Sequence, residues 1–218
     1  MPSLVSLAPL SSRARAPSPF VFIGERLWLD FVNTEDTCRG ARIDALVEFD
    51  EFVRWLQVAA VLDGERAAAI RRRALQQPTG ASAALVDARR VRAALRALAE
   101  RGYHFPLIRG SVLSEVNRVL GRSAGTRRVE QREDGTYIRT FVPVGDAFAG
   151  LMMPIVESAA DALISGELLR VRRCASARCA RVFHDGTKNG RRRWCDMATC
   201  GNRAKAARHR AVLKAGRS

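Results

Sequence analysis

Cys174-Ala-Ser-Ala-Arg-Cys179 is followed, after fifteen residues, by Cys195-Asp-Met-Ala-Thr-Cys200, and these two C-x4-C pairs contain four of the five cysteines in a chain of 218 residues. A tetrathiolate zinc site needs four sulfurs at about 2.3 Å from one ion. Each short loop can present both of its thiolates to a single point. The spacing therefore predicts one structural zinc ion bound by Cys174, Cys179, Cys195 and Cys200.

Two other interpretations of these cysteines are disulfides or redox thiols, and thiols with no shared role. Residues 1–20 contain Pro, Ser and Arg within every apolar stretch, so they lack the apolar core of a secretory signal peptide, which disfavours disulfides. His184 is a possible alternative ligand, but four thiolates already complete a tetrahedron. We therefore expect an exposed strand histidine at His184, a bystander at Cys38 and no open, catalytic position on the zinc.

The segment between the cysteine pairs predicts a β-hairpin. Arg181–His184 and Arg192–Cys195 have the composition of short strands, and the loop at 185–190 contains both Asp-Gly and Asn-Gly, which are strong hairpin signals. Phe183 and Trp194 would supply the large apolar side chains of a module too small to form its own core. Because zinc binding would provide its folding free energy, we expect the module to unfold without metal.

A helix is predicted from Met197 to Leu213, because this segment is rich in Ala, Arg and Lys, and Cys200 would lie near its start. A cysteine-bearing turn, a hairpin and a helix together predict a treble-clef-like zinc finger. The expected inward side of the helix contains Ala204, Ala207, Val212 and Leu213.

Positive charge is concentrated in the same segment. The whole chain carries a net charge of +15, but residues 170–218 contain 15 Lys and Arg and two acidic residues, so they account for +13. Such uncompensated charge favours a polyanionic partner. The side chains expected to bind nucleic acid lie on the hairpin loop and on two neighbouring faces of the helix: Arg191, Arg192, Arg193, Arg203, Lys205, Arg208, Arg210 and Lys214.

The first 169 residues, with a net charge of +2, predict a mostly helical α+β domain. Apolar periodicity and turn signals place its elements as follows: helices at 44–62, at 64–75 (closed by Pro78-Thr79-Gly80), at 84–98, at 111–120 and at 148–163, and a β-hairpin of 128–133 with 136–142 around Asp134-Gly135. Pro154 marks a kink or the start of the last helix, and Asp146 is a possible cap. Tyr137, Phe141 and Val129 are available for packing of the hairpin.

Few residues of this domain suggest chemistry, so we expect no enzyme. It has no phosphate-binding glycine loop and no nucleophile signature. Its one histidine, His104, is expected at the surface, and Asp30 is expected to form internal hydrogen bonds, followed by a turn or helix start at Asn33-Thr34. Four aromatic residues are expected in the core, with a pocket for a small effector as the alternative: Trp28, Trp55, Tyr103 and Phe105.

Two family resemblances emerge from these motifs. Cys200 opens the tetrapeptide Cys-Gly-Asn-Arg, with Arg193-Trp194-Cys195-x-Met197 before it and Lys205-Ala206 after it, and this resembles the CGNR zinc finger. Upstream, Gly24 and Leu29-Asp-Phe-Val-Asn-Thr34 resemble the opening of the ABATE domain of stress-related transcription regulators. The resemblance covers about residues 20–213. It implies zinc binding by the four cysteines, DNA binding, and a role for Gly201, Asn202 and Arg203, so Asn202 joins the expected nucleic-acid contacts.

Together these features predict a tail at 1–19 that is disordered, an ABATE-like domain at 20–168 and a CGNR zinc finger at 169–218. We expect a bacterial, cytoplasmic, nucleoid-associated regulator that binds double-stranded DNA, contains one zinc ion and has no membrane partner. The N-terminal domain would sense a small-molecule effector or form a homodimer. The alternatives are an RNA-binding module, an enzyme tethered by the finger, and a protein-interaction finger.

Overall fold

The structure, a computed structural model, describes most of the chain between residues 20 and 215. The described ranges are 20–38, 41–101, 106–122, 124–131, 135, 137–145 and 148–215. The predicted tail at 1–19, the residues Tyr103, His104 and Phe105, and the possible cap Asp146 lie outside them, so the expectations for these residues remain predictions.

Helices dominate the described residues, with small antiparallel sheets between them. The helices are α1 Leu27–Val32, α2 Phe49–Val58, α3 Gly64–Gln76, α4 Pro78–Arg101, α5 Pro106–Arg122, α6 Met153–Ile164 and α7 Asn202–Ala215. The two-stranded sheets are β1 Glu35–Cys38 with β2 Ala41–Asp44, β3 Gly125–Gln131 with β4 Tyr137–Pro143, and β5 Val171–Arg173 with β6 Val182–His184. The α+β fold class predicted from the sequence is thereby confirmed. None of the described helices is long and apolar enough to cross a membrane.

The core surrounds α4, whose inward stripe of Ala88, Val91, Leu95 and Leu98 is almost fully buried. Trp28 of α1 and Trp55 of α2 are fully buried in the same core. This confirms the core interpretation of these two aromatic residues.

Several helix boundaries differ from the prediction, and two of them have a clear local cause. The helix expected from Asp44 begins only at Phe49, where Glu48 and Glu51 form a reciprocal capping box, and Asp44 instead ends strand β2. Pro78 does not close the second helix but begins α4, since proline fits the first turn, where its missing N–H has no partner to lose. Pro154 likewise lies in the first turn of α6, which confirms that a helix starts there.

The β3–β4 hairpin is present, with Gly125 opposite Pro143 and Gln131 opposite Tyr137. Its packing differs from the expectation. Phe141 packs against the main core, but Val129 and Tyr137 are 72% and 70% exposed. The helices contact this two-stranded ribbon only near Phe141, so the side chains of Val129 and Tyr137 stay in solvent.

A buried arginine joins the β1–β2 hairpin, which the sequence did not reveal, to α4. Arg92 is 2% exposed, and its Nη1 donates to Asp44 Oδ1 at 2.8 Å and to Thr34 Oγ1 at 2.8 Å. Glu35 lies 3.6 Å away. The favourable hydrogen bonds and charges offset the loss of hydration that burial of a guanidinium entails.

Asp30 organises the chain that leads into α1. Its Oδ1 accepts hydrogen bonds from the backbone N–H of Ile23 (2.9 Å) and of Gly24 (2.7 Å), which confirms the expected internal hydrogen-bonding role. Burial raises the pKa of Asp30 to about 6, although these two hydrogen bonds lower it. The approach is close, because a Cβ on Gly24 would lie 2.8 Å from the Asp30 nitrogen.

Replacing Arg92 by Leu should lower the free energy of unfolding by about 3 kcal/mol, because Asp44 and Glu35 would lose the buried guanidinium. Arg89, 3.7 Å from Asp44, would replace it only in part. Arg90→Leu on the same helix is the matched control. Its exposed ion pair with Glu115 is screened by solvent, so the loss of stability should be much smaller. Chemical denaturation of both zinc-loaded variants measures the difference, and equal losses would contradict the role of Arg92.

Asp30→Asn tests the buried carboxyl group. With a folded-state pKa of about 6 and an unfolded value near 3.8, the native state binds more protons between these values, so Asp30 lowers stability as pH rises through this window. The amide oxygen of Asn can still accept both hydrogen bonds. The variant should therefore gain stability relative to the natural protein from pH 4 to 6, by up to about 3 kcal/mol. Denaturation curves at several pH values give this difference, and a pH-independent difference would refute the prediction.

Candidate zinc centre and nucleic-acid interface

The four paired cysteines converge on one point. All are buried, and their sulfurs lie within 4.8 Å of one another. The Cys179–Cys195 and Cys195–Cys200 sulfur pairs are 3.8 Å and 3.7 Å apart. A tetrahedron with zinc–sulfur bonds of about 2.3 Å has edges of about 3.8 Å. The donor set and its spacing fit the one structural zinc ion predicted from the sequence.

The first cysteine pair closes the β5–β6 hairpin. The N–H of Cys174 donates to Arg181 O at 2.9 Å and extends the ladder, in which Arg173 lies opposite Val182. The turn between the strands is therefore the cysteine-bearing loop itself. Cys179 N donates to Ser176 O at 3.0 Å within this loop.

The predicted pairing of Arg181–His184 with Arg192–Cys195 is wrong, since β6 pairs with β5 instead. The reason is Asp185, a buried residue whose carboxylate accepts from the backbone N–H of Thr187 (3.1 Å) and of Arg192 (2.9 Å). These bonds fold residues 185–192 into a side-chain-capped loop. The Asp-Gly and Asn-Gly signals thus mark a loop rather than the end of a strand ladder.

The second cysteine pair lies at the entrance to α7. Asp196 caps a wide turn over Met197–Gly201 by accepting from the N–H groups of Ala198 and Thr199, both at 3.1 Å. A Cβ on Gly201 would lie 2.7 Å from Met197 Sδ, so glycine permits this close packing. Cys200 is thereby held near the start of α7, as predicted.

The buried thiols form hydrogen bonds with one another, which shift their pKa values. A hydrogen bond with Cys195 lowers the pKa of Cys179 to about 5. The same interaction, together with burial, raises the pKa of Cys195. The two effects follow from one cause, because a thiolate at Cys179 is stabilised by the proton that Cys195 keeps. Zinc binds thiolates and displaces such protons, so zinc affinity should rise with pH.

The finger is seated directly on the N-terminal domain. The Asn33 side chain donates from Nδ2 to Val182 O at 2.8 Å and accepts at Oδ1 from Val182 N at 2.9 Å. One residue of the domain thus pairs with β6 as a neighbouring strand would. His184 N donates to Gly24 O at 3.0 Å, and the fully buried Val182 side chain belongs to the main core. The sequence placed Asn33 in a turn and gave no signal of this contact.

Charged side chains reinforce the same contact. Arg181 pairs with Asp36 at 2.7 Å, and Arg96 of α4 donates to Ala180 O at 3.1 Å. His184 was expected to be exposed but is 7% exposed, with Nδ1 3.9 Å from Glu25 Oε2. The expectation is wrong because β6 lies between β5 and the Gly24 backbone. His184 is not part of the described metal-binding group.

The three loop arginines fall into two classes. Arg191 and Arg193 are exposed, and the Arg193 guanidinium lies 5.3 Å from the Trp194 ring centroid. Arg192 instead stacks on the ring of Phe183 at 4.4 Å and pairs with Glu25. It also donates to the backbone oxygens of Trp194 and Cys195. Arg192 therefore fastens the loop to the N-terminal domain.

The helix α7 extends away from the zinc centre. Arg203, Lys205, Arg208 and Arg210 are exposed, while the side chain of Lys214 lies outside the described residues. Asn202 is also exposed, and its Nδ2 donates to Ala198 O at 3.1 Å. The expected inward side is wrong beyond the half-buried Ala204. Ala207 is exposed, and Val212 and Leu213 are 71% and 53% exposed, since no described element packs on that stretch of helix.

Ion pairing separates the two parts of the chain. Ten arginines of the N-terminal part form ion pairs with acidic residues of that part: Arg26, Arg42, Arg66, Arg71, Arg89, Arg90, Arg92, Arg96, Arg118 and Arg127. Within the described part of the finger, only Arg181 and Arg192 form such pairs, with Asp36 and Glu25. The remaining positive charge of the finger is uncompensated there.

Removal of one ligand tests the zinc centre. Cys200→Ser should lower bound zinc from one equivalent per chain and lower the free energy of unfolding by several kcal/mol, because the metal closes the Cys174–Cys200 module. Metal analysis and thermal denaturation measure both effects. Cys38→Ser, which changes the cysteine outside the two pairs, is the control and should keep one zinc. Full zinc content in Cys200→Ser would argue against a tetrathiolate site.

Comparison with known families agrees with this architecture. The family model described as "CGNR zinc finger" matches residues 170–211, and the ABATE model, described as "Putative stress-induced transcription regulator", matches residues 25–166. A search of curated proteins finds no match. Since the ABATE match spans more than half of the chain and leads directly into the finger, the chain belongs to the ABATE family, with a C-terminal CGNR zinc finger.

Proposed function

We propose that this protein is a transcription regulator that binds double-stranded DNA through its zinc finger. The observation that carries the proposal is α7, an exposed helix whose side chains Arg203, Lys205, Arg208 and Arg210 have no ion-pair partner among the described residues. In the described N-terminal part, by contrast, most arginine side chains form ion pairs with acidic residues of the same part. A face with so much uncompensated charge is suited to phosphates, whose counterions it would release on binding.

The geometry of the finger also suits a duplex. With 14 residues, α7 is about 20 Å long, and the major groove of DNA is wide enough for one helix. Arg191 and Arg193 lie on the loop that precedes the second cysteine pair, so the zinc fixes both basic elements relative to each other. We propose that α7 enters the groove while Arg191 and Arg193 contact the phosphate backbone. Arg203 and Arg210 are the candidates for guanine contacts.

For the N-terminal domain we propose regulation rather than catalysis. Two buried polar residues of the domain have structural roles: Asp30 accepts from two backbone N–H groups, and Asn33 pairs with the backbone of Val182. The domain would sense an effector, or alternatively form the homodimer that paired half-sites need. A DNA-bound regulator of this kind would act at the nucleoid in the bacterial cytoplasm.

The double variant Arg191→Gln/Arg193→Gln should weaken binding to all duplex sequences alike. Loss of two phosphate contacts should reduce the slope of log affinity against log salt concentration by about 1.8. Arg192 is left unchanged because it fastens the loop to Glu25 and Phe183. Fluorescence anisotropy with a labelled duplex at several salt concentrations measures the slope.

The matched control is Arg90→Gln, which removes one exposed charge from α4 and should leave the slope unchanged. Competition with structured RNA separates the two nucleic acids. An unchanged slope in the double variant would remove the electrostatic claim. Displacement of duplex DNA by RNA at lower concentration than by unlabelled duplex would make RNA the preferred partner and overturn the proposal.

A further inference from the structure

A cavity of 510 Å³ lies in the N-terminal domain, away from the zinc centre. Its walls come from five places in the chain: the start of α1, the α2–α3 connection, α3, strand β4 and the residues that lead into α6. Volumes of this size are typical of sites that enclose a small organic molecule. None of its wall residues is a zinc ligand or a basic residue of the finger.

The cavity wall is almost entirely apolar. Val61, Leu62 and Ile70 form one side, and Phe141 and Val142 face them from β4. These five side chains are all half-buried, so each leaves apolar surface uncovered inside the concavity. Covering such surface is favourable in proportion to its area. The wall therefore favours an apolar occupant.

The two polar side chains of the wall, Arg66 and Thr140, differ in their pairing. The hydroxyl of Thr140 is buried and has no hydrogen-bond partner among the described residues. Arg66 Nη2 donates to Glu130 Oε1 at 2.8 Å, and Arg66 Nε lies 3.5 Å from Asp63 Oδ2. Arg66 holds the pKa of Glu130 below its usual range. The one charged side chain of the wall thus already has two carboxylates, and a charged ligand would have to displace them.

We propose that this cavity binds an uncharged, predominantly apolar small molecule, and that this molecule is the effector of the regulator. A small molecule fits better than a protein segment because the apolar surface is concave and is divided among five separate places in the chain. The outer edge, in contrast, carries the Arg66, Asp63 and Glu130 charges. Binding of the small molecule depends on the cavity alone, whereas its role as an effector rests on the proposed function.

The position of the cavity connects it to the finger. Leu27, a wall residue, begins α1, and the adjacent Arg26 donates to Glu167 at 2.7 Å and 2.8 Å. The same helix leads to Asn33, which pairs with Val182 of the finger. Pro154, another wall residue, begins α6, and the chain runs from the end of α6 into β5. A ligand that moves α1 or α6 would therefore move the seat of the finger.

The first experiment titrates the full-length, zinc-loaded protein with N-phenyl-1-naphthylamine, an uncharged fluorescent probe. We expect saturable fluorescence enhancement with one site per chain. Ala69 is an exposed residue of α3 that lines the cavity, so Ala69→Phe should fill the cavity and lower the affinity for the probe by about tenfold or more. Leu75→Phe is the matched control on the same helix, since Leu75 is 85% exposed and does not line the cavity, and it should bind the probe normally.

Zinc content and circular dichroism verify that both variants fold. Unchanged probe binding in a folded Ala69→Phe protein would overturn the proposal. The proposal would also fail if the natural protein bound no probe and sedimented as a dimer that Ala69→Phe converts to a monomer, because the cavity would then be an interface between two copies.

The second experiment tests the ligand class by displacement of the probe with decanol and with decanoate, which differ in charge at one end. Decanol should displace the probe at concentrations at least about tenfold lower. Equal or better displacement by decanoate would show that Arg66 binds an anion and would overturn the proposal that the ligand is uncharged. Because neither measurement contains DNA, failure of DNA binding would leave the cavity claim intact. Unaltered DNA affinity at saturating decanol, in a protein that binds DNA, would refute the effector role alone.

Discussion

The convergence of four buried sulfurs on one zinc ion is the constraint on which the C-terminal finger depends. Cys174 and Cys179 fix the turn of the β5–β6 hairpin, and Cys195 and Cys200 fix the turn that opens α7. Without this centre, an exposed helix such as α7 would have little to hold it, since packing normally provides most of the stability of a helix in a protein. The metal thus replaces a core for this segment.

The N-terminal domain fixes the orientation of the finger, which the zinc ion alone does not. Asn33, Gly24 and Arg96 hold the backbone of the finger, while the acids Glu25 and Asp36 neutralise the two arginines that face inward. The other basic side chains of the finger have no ion-pair partner among the described residues. The same contact surface therefore orients the finger and divides its arginines into two groups. Arg181 and Arg192 bind the N-terminal domain, and the others are available to a partner.

The sequence was informative wherever function depends on local spacing, and uninformative wherever it depends on distant contacts. Two C-x4-C pairs predict a zinc site because the ligands are close in sequence, and the apolar periodicity predicts α3 and α6 within a few residues. Local signals misled at Asp185, where a side-chain cap replaces a strand ladder. Asn33 and Arg92 act on residues 149 and 48 positions away, so no short-range pattern identifies them. The cavity has walls from five separate places in the chain, and no short-range pattern identifies it for the same reason.

The hydrogen bonds between Asn33 and Val182 have a consequence for modularity. Many zinc fingers behave as portable cassettes, but this one shares its central strand with its neighbour. Excision of residues 170–215 would expose Val182 and leave the backbone groups of Val182 and His184 without the partners that Asn33 and Gly24 provide. Finger and domain therefore form one structural unit. A chimera that exchanges the finger must also exchange the segment from Ile23 to Asp36, which contains α1 and the residues that contact the finger.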